Sequence, residues 1–592
     1  MYPYGAIGNC HINALVKDCG SIDWLCLPRP DSPPVFGKIL DPQGGHFSIL
    51  SPDGAKGVPR YISNTNILET HFTQKNGAEY KIIDFCPRFE QFGRIYRPPT
   101  LIRKVIPIKG SPTIQVDCKP VDGWSKTPLG VTQGNSHIRF QKGQSDDSAL
   151  RLTTNMPMTY LIDNVSFAFH EPIYFVLTWG SSLESDIRPT VEMFLIQTTD
   201  YWRTWVKHCN IPTLFQQEVI RSALALKLHC YEDTGAILAS LTCSLPEEVG
   251  HERNWDYRFC WLRDAYFSLS AFHNLGHFEE MEGFLKFLLQ IAENAKQDGL
   301  HPVYKLDSTL PLPELSHDNW TGFDGSKPVR SGNDAATHVQ NDVYGEMILC
   351  LAPLFFDDRF SSHRTSALES LIGKLANQCI ATLGVVDAGV WEFRNAWKVH
   401  SFSTLLCWAG IERVERLVKL GKCNFDLEKL TQGKLKAEAL LKGSTIAGSV
   451  RNSSDDPSFD ASLSLLPILR YSDKELSRKT LYEIMENLGM KEGDEPPAFF
   501  YRYIKKDDFG NPKTPFLAIS FWMASAFAAI GDVKMAHSII EKTKVSANSL
   551  GLYSEHYNSK TKMQLGNFPQ AYSHVGLINS AFAVSPPWDQ IL

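Results

Sequence analysis

The sequence predicts two packed parts of different class: an N-terminal antiparallel β-sandwich followed by an (α/α)6 barrel. Three observations carry this reading. The chain has 592 residues, and single hydrophobic cores stop growing near ~250–300 residues. Its first third alternates short β-rich runs with turn residues. Its remainder carries about a dozen helical periodicities.

Residues 1–190 form the predicted sandwich. The runs Tyr80–Phe85, Leu101–Ile106, Thr113–Asp117 and Ile173–Trp179 are rich in β-branched and aromatic residues. Turn clusters such as Lys109–Pro112 and Gln133–Ser136 separate them. Many short strands at this spacing fit a sandwich. From Val191 to Cys209 the apolar spacing becomes helical, so residues 191–214 are predicted to bridge the two parts. Residues 215–592 form the predicted barrel. Helical patterns run over Gln216–Tyr231, Trp261–Leu275, Phe278–Gln297, Asp342–Phe355, Ser366–Leu383 and Thr404–Leu420. They continue over Ser472–Leu488, Phe516–Ile530 and Val533–Val545, with shorter apolar segments at Ala461–Leu469 and Gly576–Val584. Alternating inner and outer helices would close such a set into a ring. An open solenoid is the rival arrangement, but no fixed-period repeat is present.

Net charge is −6, so no broad basic field points to nucleic acid or to an anionic membrane. No apolar run is long enough to cross a bilayer. The start, Met1-Tyr2-Pro3-Tyr4, lacks a basic region followed by an apolar core, which predicts a cytoplasmic protein and leaves open export without such a signal. The 13 cysteines are odd in number, scattered and without a C-x-x-C pair. That predicts buried thiols in a reducing compartment, not a disulfide framework or a zinc site. The histidines show no metal-ligand spacing, and phosphate-loop and nucleophile-elbow motifs are absent. Oligomeric state is not fixed by the sequence.

Two glutamates stand beside aromatic residues. Glu392 follows Trp391, and Glu555 lies in Tyr553-Ser554-Glu555-His556-Tyr557. Glycosidic hydrolysis needs two carboxyls, one to protonate the leaving oxygen and one to activate water. A carboxyl against an indole is partly desolvated, which favours its protonated form and suits Glu392 to the acid role. A polar loop suits Glu555 to the base role. The structural alternatives are a helix cap near His400 or a pairing with Arg394 for Glu392, and a solvated loop position for Glu555. Arg263 and Asp264 form a charged pair inside the aromatic run Trp261-Leu262-Arg263-Asp264-Ala265-Tyr266. Such charges are seldom buried without a partner or a task, and an ion pair at a helix start is an equal reading. Arg502 and Tyr503 sit among Phe499, Phe500 and Tyr501, where a salt bridge competes with sugar contact. Arg258 is expected to pair with Asp256 or Glu252. His400, His556 and His574 are expected to be satisfied polar residues.

Ordered along the chain, these segments resemble glycoside hydrolase family 15, the glucoamylase-like enzymes. The resemblance is carried by Gly20–Arg29, Arg253–Arg258, Trp261–Asp264, Gly325–Arg330 and Asp342–Glu346. Trp391-Glu392, Ser520-Phe521-Trp522, Ser554-Glu555 and Gly566–His574 complete it. The resemblance implies the sandwich-plus-barrel fold and inversion at the anomeric carbon. It implies Glu392 as general acid, Glu555 as general base, Arg263 and Asp264 as the grip on the terminal glucose, and Arg502 as a further sugar contact. The aromatic neighbours Trp261, Trp391 and Tyr503, with Arg29 and Asp31 of the sandwich loop, complete the expected binding set. Two departures stand out: Arg29-Pro30-Asp31-Ser32-Pro33 where relatives carry Arg-Phe-Asp-Ser-Pro, and His556 where an acidic residue is common. The segment Glu314–Thr321 carries Trp320, expected to be exposed and available as a glucan platform, with an ordinary loop as the alternative.

The expected function is inverting exo-hydrolysis of α-glucosidic bonds, without metal or organic cofactor. Maltooligosaccharides, starch or glycogen come first as substrates. Trehalose is the alternative, followed by α-1,6-linked glucans such as isomaltose. Outside hydrolysis, the rivals are phosphorolysis and a glycan-binding protein on the same fold. The two carboxyls are expected ~6.5–9.5 Å apart, the inverting range.

Overall fold

The computed structural model describes residues 1–142, 149–183, 185–294, 299–395, 397–491, 493 and 495–592. The first part is a sandwich of two antiparallel sheets. One sheet runs in the order Tyr4–Gly8, Asn13–Lys17, Ser21–Cys26, His46–Leu50, Thr113–Lys119 and Phe167–Ala168, with Pro34–Phe36 attached to Ser21–Cys26. The other runs Gly130–Gln133, His137–Gln141, Leu150–Thr154, Ile173–Trp179, Thr100–Lys109, Glu79–Phe85, Leu68–Thr73 and Val58–Tyr61. Strict in–out alternation along His137–Gln141 and Leu150–Thr154 shows why these residues form half-buried strands. Arg103 ties the two sheets together. It is fully buried, pairs with Asp84 at 2.7 Å and donates to the carbonyls of Phe47 and Gly20 on the opposite sheet.

Helix Ile187–Lys207 starts four residues before the predicted bridge and lies against the second sheet, where Lys104 reaches Glu192 at 2.6 Å. Among the described residues, twelve helical elements then form two rings, with further short 3-10 turns between them. The inner ring is Leu262–Leu275, Asp342–Phe356, Ser401–Lys419, Ala461–Ile468, Leu517–Ala529 and Ala571–Val584. Each touches the next, and Ala571–Val584 returns to Leu262–Leu275, which closes the barrel and excludes the open solenoid. The inner element Ala461–Ile468 is a 3-10 turn running into one turn of α-helix. The outer ring is Gln216–His229, Phe278–Asn294, Ser366–Thr382, Leu427–Gly443, Lys474–Leu488 and Val533–Thr543. The end of the predicted Phe278–Gln297 helix falls outside the described residues.

Inner and outer helices differ in composition as their positions require. Leu517–Ala529 is apolar on every side and almost wholly buried, whereas Val533–Thr543 buries only Ala536, Ile539, Ile540 and Thr543. The outer helix Leu427–Gly443 has no counterpart in the sequence reading. It buries only Leu430, Gly433, Ala437 and Leu441, and this stripe is too thin among lysines and glutamates to stand out. All 13 cysteines are free thiols. No helix among the described residues is long and apolar enough to cross a membrane.

Arg258 joins the sandwich to the barrel. Its guanidinium grips Asp256 through both carboxylate oxygens at 2.9 and 2.7 Å, and it donates to the carbonyls of Ser32 and Pro30 in the sandwich loop. Arg258 and Asp256 are both buried, and removing one partner from a buried pair leaves an uncompensated charge. Arg258→Met should therefore destabilise the protein by about 3–5 kcal/mol, read as a lower midpoint in urea unfolding. An unchanged midpoint would show that the pair contributes nothing net.

Candidate active site

Loops at one end of the barrel surround a cavity. Of the ten residues expected at the site, Trp261, Arg263, Asp264, Trp391, Glu392, Arg502, Tyr503 and Glu555 line it. Arg29 and Asp31 do not. Arg29 is spent on Asp31 at 2.9 Å and on Asp307 of the barrel at 2.8 Å, so the sandwich loop docks on a barrel loop beside the cavity without lining it. Trp320 is likewise no platform. It is completely buried, its ring meets Trp124 edge-on, and its indole donates to the Trp124 carbonyl.

Glu392 sits on the loop between Ser366–Thr382 and Ser401–Lys419. A short antiparallel bridge between Asp387 and Lys398 pinches this loop, and the Glu392 N–H closes a turn onto the Gly389 carbonyl. Glu392 adopts φ 60°, a left-handed conformation that costs a non-glycine residue about 1–3 kcal/mol. The turn aims the carboxyl inward. Its Oε1 accepts from the Trp261 indole at 2.7 Å, Gln340 Nε2 at 3.4 Å and Arg263 Nη2 at 3.5 Å. The adjacent Trp391 indole instead donates to Asp460 at 2.9 Å. Neither structural alternative for Glu392 holds. His400 occupies the cap position of the following helix, and Arg394 grips Glu314 with bonds of 3.0 and 2.8 Å.

Arg263 and Asp264 occupy the first turn of the inner helix Leu262–Leu275. Arg263 donates to the Tyr572 hydroxyl at 3.1 Å and to Gln340 Oε1 at 3.2 Å. Asp264 is buried, and its Oδ1 has no hydrogen-bond donor. Burial pushes its carboxyl up to about 7, against the opposing pull of Arg263 and Tyr572. An orphaned acceptor in a cavity wall is a ready site for a ligand hydroxyl.

Glu555 lies on the connection between the outer helix Val533–Thr543 and the inner helix Ala571–Val584, just before the hairpin of His556–Asn558 with Met563–Leu565. The solvated loop position that was its structural alternative does not hold, because Glu555 is only 1% exposed. Its Oε2 accepts the Asn567 N–H at 3.3 Å. Thr242 and the Trp255 carbonyl fix the Asn567 side chain, and Pro246 receives the Gly566 N–H. Gly566 is required here: its φ is +72°, and a Cβ would stand 2.5 Å from Glu555 Oε2.

Among the cavity-zone residues that escaped the sequence reading, two stand out, Glu247 and Tyr257. Glu247 pairs with Arg502, so the salt bridge expected as an alternative exists and still leaves Arg502 on the cavity wall. Burial works against the Glu247 charge, but Arg502, His556 and Arg253 hold its carboxyl well below the usual range. Nothing in Leu245-Pro246-Glu247-Glu248 distinguishes this residue from a solvated loop acid. Tyr257 lines the cavity beside Trp261. Burial pushes its phenol well up, and the charges of Glu555, Glu247 and Glu392 add to the effect. The aromatic density of Trp255-Asp256-Tyr257 was the available signal.

Comparison with known proteins bears on the family and the fold. Residues 214–582 match the family model for glycosyl hydrolases family 15, and residues 4–153 match that for trehalase-like N-terminal domains. The chain is 30% identical to the trehalase of Thermoplasma volcanium, covering 98% of this chain and 92% of that protein. It is 29% identical to the trehalase of Mycolicibacterium smegmatis, covering 98% and 90% respectively. The crystal structure of a bacterial glucoamylase complexed with acarbose shares the fold, with a TM-score of 0.67 at 15% identity over 98% of this chain and 94% of that one. A family model that spans more than half of the chain, together with relatives that match it end to end, makes this protein a glycoside hydrolase and places it in glycoside hydrolase family 15.

Proposed function

We propose that the enzyme hydrolyses α,α-trehalose to glucose with inversion at the attacked carbon. The observation that carries this reading is the end-to-end similarity to proteins named trehalase, sandwich included, in a chain whose two candidate glutamates share one cavity. It reverses the order of substrates drawn from the sequence, which put α-1,4-glucans first.

Glu392 acts as the general acid. Three N–H donors converge on Oε1, so Oε1 is the acceptor oxygen and the transferable proton belongs on Oε2. That proton passes to the glycosidic oxygen as the bond breaks. Glu555 acts as the general base and takes a proton from the water that attacks the opposite face. Its burial and the Asn567 N–H fix its direction. Asp264 Oδ1 accepts a hydroxyl of the bound glucose, and the Arg263 guanidinium orients Glu392 and Asp264 together. Trp261 and Trp391 shape the walls on which the sugar rings rest. Arg502 and Tyr503 bound the far side, held by Glu247 and Asp507.

Loss of either proton-transfer group should lower kcat by about 10²–10⁴-fold. Glu392→Gln and Glu555→Gln should show this on trehalose while unfolding at wild-type temperatures; near-full turnover would refute the roles. Proton NMR of fresh product should show one α-glucose and one β-glucose per trehalose, because only the attacked unit inverts. Two α-glucoses would mean retention. Initial rates on trehalose, maltose, isomaltose and glycogen should rank trehalose first, and a preference for glycogen would overturn the substrate. Gly566→Ala should push Glu555 aside and cost about 10²-fold in kcat with KM little changed. Wild-type kinetics would show that the cleft under Glu555 is slack.

A further inference from the structure

His556 is one residue beyond Glu555 and is completely buried. Its ring is clamped on one side by Phe516, stacked at 5.1 Å and 27°. Nδ1 lies 3.0 Å from the Pro515 carbonyl and 3.4 Å from Thr514 Oγ1. A carbonyl can only accept, so Nδ1 carries a hydrogen. Nε2 then faces two carboxylates, Glu555 Oε1 at 3.5 Å and Glu247 Oε2 at 3.6 Å, and has no nearer partner among the described residues. The other oxygen of Glu247 accepts from the Trp255 indole at 3.1 Å, and Arg502 binds at Oε2.

Charge counting gives this arrangement its meaning. Without a proton on Nε2, a lone pair would point at two buried acids, and the set Glu247, Glu555 and Arg502 would carry one uncompensated negative charge in a dry site. Both are costly. A proton on Nε2 removes both penalties at once. It also places a positive group beside the carboxyl that has to be ionised to activate water.

Resting on the reading of Glu555 as the base, we propose that His556 and Glu247 are positioning residues for it. His556 bridges the two acids through a proton on Nε2, and Glu247 anchors the bridge to Arg502. His556 favours the ionised form of Glu555, and Glu247, a like charge at short range, opposes it. The two neighbours therefore set from opposite directions the pH below which the base stops working. Among the described residues, the other charged or titratable groups near them are Arg502 and Arg253 on the Glu247 side, and Tyr257, Tyr2, Asp264 and again Arg502 on the Glu555 side.

The test is the pH dependence of kcat/KM on trehalose, whose acid limb reports protonation of the essential base in free enzyme. His556→Gln removes the positive neighbour, so the acid limb should move up by about one pH unit. Glu247→Gln removes the like charge and leaves Arg502 in place, so the limb should move down. Opposite displacements are what a merely structural role would not produce; that role predicts lower kcat with the limb unmoved in both variants. Circular dichroism and thermal unfolding establish that each variant is folded. If His556→Gln fails to fold, the downward shift in Glu247→Gln decides alone. Limbs that overlay wild type overturn this inference while leaving the base assignment intact. A wild-type enzyme with no turnover of any α-glucoside overturns the base assignment and this inference together.

Discussion

Arg263 carries the electrostatics of the barrel mouth. Its guanidinium lies 3.5 Å from Glu392 and 3.8 Å from Asp264. Behind it, on the inner helix Asp342–Phe356, are Asp342 and Glu346, both fully buried and one helical turn apart. Burial raises both carboxyls, and in each case Arg263 opposes the rise. Several acids in a dry site are tolerable only if some are neutral and the rest have a cation in reach. Arg263 also bonds to Gln340, just before Asp342–Phe356, and to Tyr572 on Ala571–Val584. One side chain therefore ties the start of Leu262–Leu275 to Gln340 and Tyr572 and holds the Glu392 carboxyl among them.

The two glutamates proposed as acid and base stand in different surroundings. Glu392 is partly exposed, stands in a strained turn and has one oxygen saturated with N–H donors. Glu555 is almost fully buried, rests on a glycine and faces a histidine across which another acid lies. The sequence reading rested on the indole of Trp391 beside Glu392 and on a polar loop around Glu555, with a solvated position as the alternative for Glu555; the first reason and that alternative both fail. The indole in contact comes from Trp261, not Trp391, and Glu555 is the drier of the pair.

Much of the fold was legible because its signals are local. Periodicity of two and of 3.6 residues marks the strands and the apolar inner helices, and helix ends fall within a few residues of their expected places. Leu427–Gly443 was lost because an outer helix needs only a thin apolar stripe. The site was legible where charge is embedded among aromatic residues, as at Arg263, Asp264, Glu392 and Arg502. It was not legible where a partner arrives from far along the chain. Glu247 meets His556 across more than 300 positions, and Asp307 draws Arg29 away from the cavity across 278. Trp320 failed for the same reason, since its burial is decided by Trp124 and by the close backbone of Gly37 and Gly44.

The hairpin that follows Glu555 is fastened to the opposite end of the polypeptide. The Tyr2 N–H donates to Gln564, its hydroxyl to the Gly566 carbonyl, and Asn548 holds the carbonyls of Tyr2 and Tyr4. Tyr2 and Gln564 are separated by 562 positions. The wall that carries Glu555 is therefore assembled from segments far apart in the sequence, and a disturbance at Tyr2 is felt directly beside that carboxyl.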